Sequence, residues 1–176
     1  AYDLDIASRV LSKISNEEVL DVGNIKYYLS GMEILNGDII FAANKPDGGQ
    51  QFLLGDFTGH GLGAAIGGLV VFDVFRTMTA KGFSITQIIP EINRKLREIL
   101  PTGRFLAAGL VELDPSHTVA TIWNGGLPNI YIRSKDNDDP RFVTSSHLPL
   151  GVLAEAELDL RTETILIKHH DRIYLN

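Results

Sequence analysis

The stretch Gln51-Phe52-Leu53-Leu54-Gly55-Asp56-Phe57-Thr58-Gly59-His60-Gly61-Leu62-Gly63-Ala64-Ala65 changes character twice. It opens as a short run of β-forming residues, passes through three glycines, and ends in small residues that continue an apolar series from Leu62 to Phe75. The pattern predicts a strand that leaves through a glycine turn directly into a helix. Glycines in such a turn free backbone amides and carbonyls, and the amides at a helix N-terminus favour anions. No G-x-x-x-x-G-K-S/T run is present, which disfavours an NTP-binding phosphate loop.

Upstream, Asp38 to Ala43 is a second β-rich run, and Asp47-Gly48-Gly49 supplies the turn chemistry that joins it to Gln51–Leu54 as a hairpin. Ile25 to Leu29 predicts an earlier strand. Leu4, Val10, Leu11 and Ile14 predict a short amphipathic helix over the first residues, which would continue a linker from an upstream module. Downstream, one helix is expected from about Gly61 to Lys81. Gly63, Ala64, Ala65, Gly67 and Gly68 leave little bulk near its start, so it can rest closely on a sheet. A second is expected from about Ser84 to Leu100, with Ile85, Ile88, Ile89, Ile92, Leu96 and Ile99 as its apolar stripe. Ser84 and Gln87 have capping-box spacing. Pro90 inside this helix should kink it or mark a second start, at a cost of about 3 kcal/mol.

Strand patterns then return over 106–113, 118–123, 129–133, 141–144, 157–167 and 172–175, with Asp114-Pro115-Ser116 as a turn and Ser134 to Pro140 as a solvated loop. Strands, two central helices and further strands with short connections leave no room for parallel crossovers. The order predicts an α+β fold built on antiparallel sheets.

The composition suits one packed domain: 176 residues, 44% hydrophobic and 22% charged. There is no cysteine, which removes disulfides, thiolate zinc sites and a cysteine nucleophile and fits a cytoplasmic setting. A formal charge of -6 without a dense Lys/Arg stripe argues against nucleic acid as a partner. The apolar series Leu62 to Phe75 is shorter than the roughly 20 residues of a membrane span and predicts a buried helix. Nothing resembles a secretory signal. The first residue is Ala1 rather than Met, as expected of an excised or processed fragment.

Two carboxylates stand beside glycine at strand boundaries: Asp38 after Asn36-Gly37, and Asp56 after Gly55. Carboxylates so placed suit hard divalent cations such as Mg2+ or Mn2+, which prefer oxygen ligands. By residue habit alone, an Asp next to Gly at a strand end is more often a turn or cap residue. His60 reads either as a general acid titrating near neutrality or, as the more frequent case, a loop residue that anchors the turn or packs beneath the site. Thr58 fits a capping hydroxyl at the helix start better than a nucleophile. His169-His170 lacks a third placed ligand and reads as a solvated pair.

The run Gly55 to Gly61 with Leu62-Gly63-Ala64-Ala65 resembles the GD-x-S/T-GHG-x-x-AA signature of PPM-type metal-dependent Ser/Thr phosphatases, in their bacterial SpoIIE/RsbU-like branch. Asn36-Gly37-Asp38 is similar to that branch's GGD, Asn124-Gly125-Gly126-Leu127-Pro128 to its NAGHP turn, and Pro149-Leu150-Gly151 to its PLG. The resemblance runs from about Leu4 to the last residue as a single domain. It implies a four-layer αββα sandwich with the metals at one end. It further implies that Asp56 bridges two Mg2+ or Mn2+ ions, that Asp38 acts on one of them directly or through water, and that the Phe57 carbonyl completes the near shell. Gly55, Thr58, Gly59, His60 and Gly61 would support the loop. The implied reaction is hydrolysis of phosphoserine or phosphothreonine by in-line attack of a hydroxide held by the ions, without a phosphoenzyme.

The implied substrate is a phosphorylated regulatory protein such as an anti-sigma-factor antagonist. An upstream receiver or sensor domain and a homodimer are further expectations of the resemblance. The family's pattern also calls for an Asp-Gly directly after a strand like Asp171-Arg172-Ile173-Tyr174-Leu175, whereas the sequence stops at Asn176. Two carboxylates alone would hold an ion pair poorly, so weak metal binding and low activity are expected of these residues by themselves, with the C-terminal portion of the domain lacking. The competing reading is a phosphatase-like module whose chemistry is lost and whose surface binds a signalling partner. Leu127 stands where the family has His, which argues against a polar role there.

Overall fold

The hairpin expected around Asp47-Gly48-Gly49 begins the chain as described by the computed structural model, which covers residues 37–135 and 139–176. The opening helix, the strand over 25–29, Asn36 and the middle of the Ser134–Pro140 loop lie outside the described residues. Strand β1 (Asp38–Asn44) runs antiparallel to β2 (Gln50–Phe57). Gly48 takes the turn's left-handed backbone (φ 92°), and the Gly49 N–H donates to Asp47 Oδ1 at 2.8 Å.

Two helices follow, α1 (Leu62–Ala80) and α2 (Ile85–Ile99). Six strands come next: β3 (Leu106–Leu113), β4 (Val119–Gly125), β5 (Ile130–Arg133), β6 (Arg141–Val143), β7 (Glu163–Leu166) and β8 (Arg172–Tyr174). The eight described strands form two antiparallel sheets, one in the order β1-β2-β3-β4-β7 and one in the order β6-β5-β8.

Strand alternation separates two cores. Ile39, Phe41, Leu53, Phe57, Leu106, Leu110 and Trp123 face the helices and pack with Val71, Phe75, Ile85, Ile88, Ile89, Ile92 and Leu96. Val111, Leu113, Ala120, Ile122, Ile130, Ile132, Val143 and Ile165 pack between the sheets. The described residues thus form three layers, helix pair, large sheet and small sheet. The outer face of the small sheet presents Tyr131, Phe142 and Tyr174 to solvent, on the side where the resemblance places a second helix layer.

Helix α1 is longer than the apolar series that suggested it and, by length and composition alone, could cross a membrane. Its contacts are those of a core helix: Ala64, Ala65, Gly67, Gly68, Val71, Val74, Phe75 and Thr79 are buried. Gly67 permits the close approach, since a Cβ there would lie 2.6 Å from the Phe57 ring. Thr58 does not cap this helix. Its N-cap is Gly61 (φ 89°), which has no side chain to donate or accept.

Helix α2 runs through Pro90 as one element, with no second start. The lost hydrogen bond is offset by five side chains of the stripe, Ile85, Ile88, Ile89, Ile92 and Leu96, all fully buried. Its first turn is closed as expected, with the Ser84 N–H donating to Gln87 Oε1 at 3.0 Å.

The single strand expected over 157–167 is divided. Residues 155–157 form a 3-10 turn and only Glu163–Leu166 pairs with β4. The residues between cross the sheet as a strap. Leu158 and Leu160 pack against the helix-side core, and Trp123 Nε1 donates to the Asp159 carbonyl at 3.0 Å. Arg161 turns back onto the Asp159 carboxylate, which holds that group well below the usual carboxylate range. The His147 ring stacks parallel to Trp123 with centroids 5.2 Å apart.

A buried polar network ties the helix pair to the sheet. Thr79 Oγ1 donates to Gln51 Oε1 (2.6 Å), and Gln51 Nε2 donates to the Phe83 carbonyl (2.7 Å) and Glu112 Oε2 (2.9 Å). Glu112 also accepts from Lys45 Nζ (2.7 Å) and from the Ile85 N–H (2.8 Å) at the start of α2. Replacing Thr79 by the isosteric Val leaves the buried Gln51 oxygen without that donor. Thr79→Val is expected to lower unfolding free energy by about 1–3 kcal/mol in urea titration; a wild-type midpoint would show that the network does not hold the helices.

Candidate functional site

Asp38 is the first residue of β1 and Asp56 the seventh of β2, and the antiparallel register makes them direct partners. Partnered side chains project from the same face of a sheet. That face looks between the two sheets, because Asp56 has the parity of Phe52, which packs in the inter-sheet core. On the other side of Asp56 its partner is Ala107 of β3, so a methyl group rather than a larger side chain stands beside the carboxylate.

Both carboxylates are exposed at the sheet's end, and neither has an ion-pair partner among the described residues. The Asp56 carboxyl is pushed above its ordinary value, first by partial loss of water and then by the negative charge of Asp38. Two hard-oxygen anions held opposite each other fit a divalent ion by the chemistry of their donors. Backbone oxygens stand nearby. The Phe57 N–H donates to the Gly37 carbonyl at 3.0 Å, and a Cβ on Gly37 would lie 2.9 Å from the Phe57 carbonyl oxygen and 3.0 Å from that of Gly59. Gly37, with φ 102°, is therefore fixed as glycine by conformation and by space. Among the described residues, no group of three His, Asp or Glu side chains gathers here or elsewhere as a metal cluster.

The remaining motifs converge on the same end. At the end of β4, Asn124 Nδ2 donates across the following turn to the Pro128 carbonyl (2.9 Å), and the Gly126 N–H in that turn donates to Ser145 Oγ (2.7 Å). A Cβ on Gly126 would meet Pro149 at 2.7 Å and Ala107 at 3.1 Å, so this turn rests on the residue beside Asp56. Leu150 exchanges two backbone hydrogen bonds with Leu106 (2.9 and 2.8 Å). Leu127 is buried and directed at Gly109, in keeping with an apolar role. Strand β8 runs toward this end as well: it starts opposite Arg133 and finishes opposite Tyr131, and Leu175 reaches Gly109, two residues from Ala107.

The loop after Asp56 holds the other expected residues. Thr58 ties it to the residues before β3, its Oγ1 accepting from the Phe105 N–H at 2.9 Å. His60 is exposed and, with Arg104, borders a pocket of about 190 Å³ between the loop, the start of α1 and the end of α2; Phe57, Ala64 and Leu100 also line it. Gly59 (φ 82°) lies under the Arg104 guanidinium, where a Cβ would overlap it. Neither Arg104 nor Ala107 was signalled by the sequence, since a single Arg after a Pro-Thr-Gly turn and an Ala in an apolar strand carry no pattern of their own. His169 and His170 stand apart in the turn between β7 and β8, both exposed, with rings 3.9 Å apart.

Among curated proteins none matches the sequence. Among solved structures, the chain is similar to the SiaA-PP2C domain of Pseudomonas aeruginosa, with 17% identity, 99% of this chain and 69% of that one covered, and a TM-score of 0.69. It is similar to the RsbU and RsbW domains of Rv1364c from Mycobacterium tuberculosis, with 18% identity, 85% and 40% covered, and a TM-score of 0.67. A third likeness is to the PP2C phosphatase domain and a fragment of the regulatory domain of the cell fate determinant SpoIIE from Bacillus subtilis, with 18% identity, 77% and 38% covered, and a TM-score of 0.64. The chain spans about two fifths of the length of the latter two. At these identities the likeness is one of fold: the antiparallel two-sheet α+β architecture is that of PP2C domains. Residues 46–176 match the family described as Stage II sporulation protein E, and with most of its length so matched the chain belongs to the SpoIIE family.

Proposed function

We propose that this chain carries the phosphatase site of a metal-dependent Ser/Thr protein phosphatase that acts on a phosphorylated regulatory protein. The observation that carries the reading is the cross-strand pair Asp38–Asp56, with the Phe57 carbonyl beside it, at the end of the sandwich where the glycine loop and the turns at Gly126 and Leu150 meet. Membership of the SpoIIE family and the PP2C fold support it. Asp38, Asp56 and the Phe57 carbonyl would hold Mg2+ or Mn2+, and RsbX, another structural neighbour, was solved in complex with magnesium. A bound ion of this kind supplies Lewis acidity to a phosphoryl oxygen and lowers the pKa of water.

The chain's own contribution is to hold two negative charges on one rigid face, to keep the space beside Asp56 open with Ala107, and to present His60 and Arg104 at a pocket next to the loop. An anti-sigma-factor antagonist is the partner class the reading favours, in keeping with a neighbour that joins RsbU and RsbW domains in one chain. An attached receiver or sensor domain, a homodimer and a cytoplasmic location belong to the same proposal. One observation favours the alternative, a phosphatase-like module that binds a partner without chemistry: the described residues bring two carboxylates to the site and no third.

One measurement separates these readings and a second tests the carboxylate pair on which both are built. With the full chain at millimolar Mn2+, phosphate release from a phosphoserine peptide should fall about 100-fold or more in Asp56→Asn, since an ion of this kind contributes several kcal/mol to the transition state. Equal rates in the two proteins would remove the mechanism and leave the binding module. The second measurement needs no activity. A folded-state pKa raised above the unfolded value means that ionised Asp56 opposes folding at neutral pH, and that the penalty fades as pH falls through the folded value toward the unfolded one. Metal-free Asp56→Asn should therefore melt above wild type at pH 7, with the difference closing near pH 4. A variant that melts below wild type at pH 7 would show that Asp56 is not held against a like charge.

A further inference from the structure

Thr58 is fastened through all three of its polar groups to the two residues that lead into β3. Its N–H donates to the Phe105 carbonyl at 3.0 Å and its Oγ1 accepts from the Phe105 N–H at 2.9 Å. Its own carbonyl accepts from Arg104 Nη1 at 2.7 Å. The carbonyls on either side of it, those of Phe57 and Gly59, turn the other way and converge near Gly37, at the start of the strand that bears Asp38. The Thr58 N–H and the Phe57 carbonyl belong to one planar trans peptide and point opposite ways, and the held Thr58 carbonyl fixes the plane of the next peptide, so the bonds at Thr58 restrain the carbonyls on either side.

We propose that Arg104 is a positioning residue for the divalent-ion site. By drawing the Thr58 carbonyl outward, its guanidinium keeps the Phe57 and Gly59 carbonyls turned toward the Asp38–Asp56 end. The steric match supports the assignment: Gly59 is the loop residue over which the guanidinium lies, and any Cβ there would displace it. Arg104 is exposed and contributes nothing to either core, so its contact serves the loop rather than the fold. Groups that orient metal ligands from behind typically change metal affinity by about 10–100-fold when removed. The inference rests on the reading of Asp38, Asp56 and the Phe57 carbonyl as ion ligands.

The test is Mn2+ affinity of the full chain, measured by calorimetry or water-proton relaxation without substrate, in wild type, Arg104→Ala and Arg104→Lys. Arg104→Ala should weaken Mn2+ binding by about 10-fold or more, while the metal-free melting temperature stays within about 2 °C of wild type, as for most surface substitutions. Arg104→Lys, which can still donate to the Thr58 carbonyl, should recover most of the affinity. Wild-type affinity in Arg104→Ala overturns the assignment while leaving the ion site intact. An equal loss in Arg104→Lys and Arg104→Ala also overturns it. If wild type itself binds no Mn2+, the reading of the site fails, and the role of Arg104 with it.

Discussion

The register between β1 and β2 is the constraint on which the site depends. It aligns seven residue pairs, from Asn44 with Gln50 beside the turn to Asp38 with Asp56 at the far end. Side chains alternate along a strand, so a slip of one residue would carry a carboxylate to the helix side, into the core formed by Ile39, Phe57 and Phe75. The turn at Asp47-Gly48-Gly49 and the apolar alternation of Ile39, Phe41, Leu53 and Phe57 therefore set the geometry of the site from the helix side and the far end of the hairpin. The next strand extends the same logic, because pairing Asp56 with Ala107 keeps one side of the carboxylate clear.

The two ends of the large sheet are built differently. At the turn end, Gln51, Thr79, Glu112 and Lys45 satisfy one another and join β1, β2, β3 and both helices. At the other end two like charges face each other, and the loop following them contains glycines at left-handed φ, Gly59 and Gly61. Like charges directly opposed across a ladder oppose folding. A cohesive far end allows a repulsive near end, and that combination leaves a binding free energy available to a cation that neutralises the pair.

Much of this was legible in the sequence because it is written locally. The strand–glycine–helix transition, the hairpin turn, the helix boundaries within a residue or two and the strand β3 follow from periodicity and turn chemistry. The motif order identified the residues that gather at one end of the sandwich. What escaped depends on contacts distant in sequence. The strap over 158–162 has the composition of a strand, yet Trp123 and the core beneath it compete successfully for its backbone and its leucines. Pro90 predicted a kink or a second start, and no second start occurs because the buried isoleucine stripe holds the helix as one element. Thr58 stands where a helix cap is expected, but Phe105, 47 residues on, takes its hydroxyl. Arg104 becomes informative only when its guanidinium is seen on Gly59.

The claim that the Asp38–Asp56 end receives a divalent ion is tested most directly by an amide NMR spectrum of the full chain titrated with sub-stoichiometric Mn2+, whose unpaired electrons broaden nearby signals even when binding is weak. The account predicts selective loss of the amides of Gly37, Asp38, Asp56, Phe57, Ala107 and Gly126, reversed by a chelator. Broadening centred elsewhere, or none above the level seen in Asp56→Asn, would contradict it.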